Sequence, residues 1–202
     1  MTPHQTLFRV IGAVAFVAAL LALPGCGSDD NTTTTSGPVS IFTPDTAAPA
    51  PLTLALLSGA STGASIDVRV TVTGVTSFFG AAFRIKYDNT ALLFNGMTSS
   101  GSLLRDGVAE GNLLFSEDHS SVPGEVLITA TRLDPTTAPP VDVTTTADLV
   151  VLNFTARKVI LPATAEGRVE FGDPKQVCDG TVNGSGCGEI AVTWSGGGVS
   201  AQ

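Results

Sequence analysis

The stretch Ser65–Phe94, SIDVRVTVTGVTSFFGAAFRIKYDNTALLF, decides the fold class. Its first part sets Ile66, Val68, Val70 and Val72 on one side and Asp67, Arg69, Thr71 and Thr73 on the other. A period of two is that of a strand with one face in a core and the other in water. Gly74 interrupts the run, and GAAFRIKYD (80–88) resumes it with Phe83, Ile85 and Tyr87 inward and Arg84 and Lys86 outward.

Outward from this stretch, seven further segments read as strands: 52–58, 91–96, 112–117, 124–133, 147–159, 167–172 and 189–194. Gly, Pro, Asn and Asp separate nearly all of them. About nine short strands predict an all-β fold of two packed antiparallel sheets. The segment LDPTTAPPVDVTTTAD (133–148) reads as a long loop, because its prolines lack the N–H that a central ladder needs. No internal duplication stands out, so one sandwich spanning 52–195 is expected, with 196–202 as a tail.

Strand order and local wording resemble a cohesin domain. The segments that carry the resemblance are IDVRVTVTGVTSFFGAAFRIKYDNTALLF (66–94), with its small-residue strand and a Tyr-Asp before a turn and a Leu, and ADLVVLNFTARK (147–158). The resemblance implies a nine-stranded jelly-roll sandwich whose work is recognition. Cohesins of cellulosomes bind dockerins, and the superfamily sits close to carbohydrate-binding modules. A protein ligand, dockerin-like or other, or a polysaccharide is therefore the implied partner, although these 202 residues hold no second copy and no dockerin-like calcium repeat.

Composition points to the same compartment as the chain's beginning. With 22 Gly, 12 Pro and few charges, the sequence reads as an extracytoplasmic β protein, and a net charge of −8 makes nucleic acid a poor partner. Arg9 precedes an apolar run, Val10–Leu23, too short for a membrane span but suited to a signal peptide over residues 1–25. Leu23-Pro24-Gly25-Cys26 resembles the bacterial lipobox, with Leu three places before the Cys and a small residue directly before it; Pro24 departs from the usual Ala or Ser. By that resemblance the Cys26 thiol carries diacylglycerol and the chain is cut before it. The expectation is a lipid-anchored protein of the bacterial cell envelope, with Gly27 in place of Asp favouring the outer membrane. Residues 26–51, Thr-rich and then Pro-rich, read as a tether.

Cys178 and Cys187 remain as an even pair in an oxidising compartment and read as a disulfide. Asn183-Gly184 between them favours a turn, which predicts a hairpin between 167–172 and 189–194. A zinc site is the alternative, but two thiolates without a nearby His half fill its shell.

Catalysis finds little support. His119 stands in a loop-like context without a second histidine or a nucleophile elbow, and the sequence calls for no cofactor. A glycosidase could work with two carboxylates from Asp88, Glu110, Glu117, Asp118 and Asp134, whose separations the sequence does not give. Calcium could use Asp173, Asp179 or the loop from Asp134 to Asp148. Of the aromatic residues, Trp194 and Tyr87 sit in strand patterns that favour burial, whereas Phe78 and Phe79 could be exposed at a strand entrance. The reading is a non-catalytic recognition module, with a structural subunit of an envelope or secretion assembly as the alternative.

Overall fold

The alternating stretch forms three consecutive strands in a computed structural model that describes residues 38–119, 122–183 and 186–202. These are β3 (Ser65–Thr73), β4 (Val75–Phe78) and β5 (Gly80–Tyr87), preceded by β1 (Ser40–Pro44) and β2 (Thr53–Thr62). Then come β6 (Leu92–Thr98), β7 (Leu113–His119), β8 (Glu125–Arg132), β9 (Val141–Val143) and β10 (Ala147–Ala156). The last are β11 (Arg168–Asn183), β12 (Gly186–Glu189), β13 (Thr193–Ser195) and β14 (Gly197–Ala201). The leader, the Cys26 site, residues 27–37 of the tether and Gly184 of the expected turn lie outside the described residues.

Two sheets stack face to face. One runs β1-β14-β11-β5-β8-β7 with β12 added to β11, and the other runs β13-β2-β3-β10-β6. The chain crosses between them from β5 to β6 and back to β7, the habit of a jelly roll. Between the layers, Ile66, Val68, Val70 and Val72 of β3 meet Phe83 and Ile85 of β5, Val126 and Ile128 of β8, and Leu152 and Phe154 of β10, all fully buried. The period-two pattern exists because removing these side chains from water is the main favourable term in folding. Gly74 turns the chain from β3 into β4 at φ 62°, where a Cβ would stand 2.7 Å from Pro51.

The all-β sandwich agrees with the sequence reading, and four details differ. First, the sandwich is longer than 52–195. β1 lies in the expected tether and pairs along its whole length with β14 in the expected tail, from Ser40 opposite Ala201 to Pro44 opposite Gly197. The signal was faint because β1 sends only one large side chain inward, Phe42, and β14 is built of small residues. Gly197 is required there, since a Cβ would meet the Phe42 ring at 2.2 Å.

Second, the described residues hold fourteen strands where nine were expected, the additions being mostly short. One of them, β9, lies inside the loop 133–148 and forms a two-stranded sheet with β4. Third, the hairpin at the end is not between 167–172 and 189–194. β11 runs on from Arg168 to Asn183 and folds back with β12, Val182 opposite Cys187. Fourth, Phe78 and Phe79 are buried, at 0% and 8% exposure, because the β4–β9 pair caps the sandwich there.

Candidate recognition surface

Four neighbouring strands, β11, β5, β8 and β7, share an outward face over which the described residues place no second layer. Their registers arrange the outward residues in rows. Glu170, Lys86 and Glu125 form the first, and Gly172, Arg84, Leu127 and Asp118 the second. Gln176, Ala82, Thr129 and Ser116 form the third, and Cys178, Gly80, Thr131 and Leu114 the fourth.

The rows divide the face by charge. The first two carry Arg84 and Lys86 on either side of Glu125, at 3.2 and 3.6 Å. Arg84 also donates through Nε to the Asp173 carbonyl at 3.0 Å. The last two rows are uncharged and combine small residues, threonines and Leu114, which is 41% exposed. A partner would meet an ion-paired half and an uncharged half where Ala82 is partly exposed and the Thr131 side chain covers Gly80.

The disulfide borders the uncharged half. Cys178 and Cys187 are bonded, with Cα atoms 5.5 Å apart. Cys178 faces Glu189 in the ladder, and Ile190 N–H donates to the Val177 carbonyl at 2.9 Å, so the returning chain is stitched to β11 beside the face.

The candidate catalytic groups do not converge. Asp88 and Asp134 each accept from a threonine two residues on, Thr90 and Thr136, by both backbone N–H and hydroxyl. These hydrogen bonds lower both carboxyl pKa values and spend the groups on turns. Glu110 pairs with Arg105, and Glu117 lies 3.6 Å from the exposed His119, whose ring packs against Phe94. Asp118 is separate, in the second row of the face.

Of the calcium candidates, Asp179 accepts from Thr181, and the same bonds lower its pKa. Asp173 lies 3.7 Å from Lys175. Among the described residues no three His, Cys, Asp or Glu side chains cluster as a metal site. Trp194 is half-buried and stacks edge-on against Phe171 at 4.8 Å, and Tyr87 packs against Phe154 at 5.4 Å, so both rings serve the core. Arg84 and Lys86 were legible as outward residues; the rows they belong to were not, because their members come from strands far apart in the chain.

The cohesin domain profile matches residues 52–185. No curated protein matches the chain. Among solved structures, the chain is similar to the sixth cohesin of scaffoldin B from Acetivibrio cellulolyticus, solved in complex with a Cel5 dockerin, at 18% identity. The similarity covers 80% of this chain and 96% of that one, with a TM-score of 0.48. The cohesin CaCohA2 of Clostridium acetobutylicum is 24% identical over 71% of this chain and 91% of that one, with a TM-score of 0.46. The cohesin module of a family 33 glycoside hydrolase from Clostridium perfringens is 15% identical, over 83% and 96%, at a TM-score of 0.44. On the strength of the profile match, which spans two thirds of its length, the chain belongs to the cohesin domain family.

Proposed function

We propose that this protein is a non-catalytic recognition module of the bacterial cell envelope, held on the outer membrane by lipid on Cys26, that binds a dockerin-like protein on the outward face of β11, β5, β8 and β7. The observation that carries the reading is the face itself: four strands wide, uncovered among the described residues, with an uncharged half beside an ion-paired half. Flat sheet surfaces of this kind suit a folded protein better than a sugar chain, and the chain's single Trp is packed against Phe171. The lipid anchor rests on the sequence around Cys26 and the apolar run before it. Two or three acyl chains hold a domain of this size firmly, at about 0.8 kcal/mol per buried CH₂.

Titration calorimetry against calcium-loaded dockerin modules, backed by an affinity pull-down from envelope extract, tests the partner. Ala82→Arg and Leu127→Asp should weaken binding about tenfold or more, as substitutions at the centre of an interface do. Asn95→Asp, on the other sheet, should leave it unchanged. Binding that ignores Ala82 and Leu127 would place the ligand elsewhere. Separately, Cys26→Ala should move the processed protein from the membrane to the soluble fraction; retention in the membrane would remove the lipid anchor from the reading.

A further inference from the structure

The four most exposed large apolar residues among the described residues are Val159 and Leu161 at 62%, Val39 at 58% and Ile41 at 56%. They come from opposite parts of the chain and meet on one ribbon. In the middle of it, β14 pairs with β1 on one side and with Ile160 on the other. Ser40, Ala201 and Ile160 stand in one row and are all fully buried. Their chain neighbours point the opposite way, so Val39 and Ile41 on one side of β14 and Val159 and Leu161 on the other share the outward face. Val39 and Gln202 exchange backbone hydrogen bonds at 2.7 and 3.2 Å, and Ile160 and Ala201 exchange two at 2.9 Å, which holds the register.

The patch lies off the end of the recognition face and not across it. Gly198 pairs with Arg168, the first residue of β11, so Val199–Ala201 run on past that strand. It is not basic either: Lys158, next to Val159, is held by Glu166 at 3.0 Å.

We propose that the outward side chains of Val39, Ile41, Val159 and Leu161 rest on the lipid surface to which Cys26 tethers the protein. The inference rests on the lipid-anchor reading above. The chain enters the domain beside this patch: Val39 is 13 residues beyond Cys26. A chain that long spans at most about 45 Å. The anchor therefore keeps the patch within reach of the bilayer, and an attraction too weak to bind on its own acts intramolecularly. A second copy of the chain is the poorer occupant. The patch amounts to on the order of 400 Å², half of the roughly 800 Å² per partner that stable interfaces bury.

The test uses the full mature lipoprotein, purified with its acyl chains, on vesicles of phosphatidylethanolamine and phosphatidylglycerol with and without brominated acyl chains. Leu161→Trp places a reporter in the patch, and Leu114→Trp places one on β7, with Trp194 as the common background. Bromolipid should quench the added fluorescence at position 161 about twofold more than at position 114, a difference that apolar insertion at the interface produces and salt leaves standing. Circular dichroism checks that both variants fold. Equal quenching, with the protein still floating with the vesicles, overturns the patch and leaves the anchor intact. Failure to float, or absence of the acyl group on Cys26, overturns the anchor and the patch with it. A dimer in sedimentation that Leu161→Ser dissociates, without quenching, gives the patch to a second copy and also overturns the proposal.

Discussion

Arg132 donates through Nε to the Leu104 carbonyl at 3.1 Å, from a position at the end of β8 that is only 4% exposed. The same guanidinium reaches the Asp106 carbonyl at 3.0 Å and the Pro139 carbonyl. One buried cation thus ties together two loops, 99–112 and 133–140. Backbone carbonyls stand here where a carboxylate usually would.

Arg132→Met should therefore lower stability by about 1–3 kcal/mol, since it leaves the buried Leu104 carbonyl and the partly buried Asp106 and Pro139 carbonyls without their donor. Arg132→Lys should recover part of this, because an ammonium keeps the charge but lacks the planar fork. Urea unfolding of the three proteins measures it, and a wild-type midpoint for Arg132→Met would show that water replaces the guanidinium.

Phe42 is the one large inward side chain of β1 and is 2% exposed. Phe42→Ala should cost about 3–5 kcal/mol. A chain beginning at Leu52 should be destabilised at least as much as the point variant, because β14 loses its partner along five residues. Thermal unfolding of a chain beginning at Leu52 that matched the full domain would restore the narrower boundary.

The Cys178–Cys187 bond closes a short loop between the end of β11 and β12. Reduction should cost roughly 2–3 kcal/mol, at the upper end of what chain entropy supplies, and should leave the sandwich folded because the two sheets pack elsewhere. Urea midpoints with and without reductant read the loss. Mass spectrometry finding both thiols free in protein from the envelope would argue against the bond.

Asp45, just beyond β1, receives two hydrogen bonds from Arg168 at 2.7 and 2.9 Å, and these bonds lower its pKa below the ordinary 3.8. A carboxyl lowered in the folded state adds stability that is present above the ordinary value and is lost as pH falls through the folded one. The pair is about two-fifths exposed, so its worth is under about 1 kcal/mol. Asp45→Asn should reduce stability at pH 6 by that amount and should flatten the loss below pH 3.8 relative to wild type. Parallel acid-unfolding curves for the two proteins would mean that solvent screens the pair entirely.

The alternation over 65–87 determined by itself that this chain is built of strands, and which side of each strand faces a core, because side chains alternate with a fixed period whatever the neighbouring strand is. The cysteine pair and the outward Arg84 and Lys86 were readable in the same way. Which strands lie side by side was decided only in three dimensions. β1 and β14 carry too few large apolar residues to announce themselves, and they become strands because each supplies the other's ladder and because Phe42 fits over Gly197. The rows of the recognition face and the apolar patch at the β1–β14 end depend on registers between segments as far apart as Ile41 and Ser200. Such pairings are set by how the whole core closes, and no local pattern encodes them.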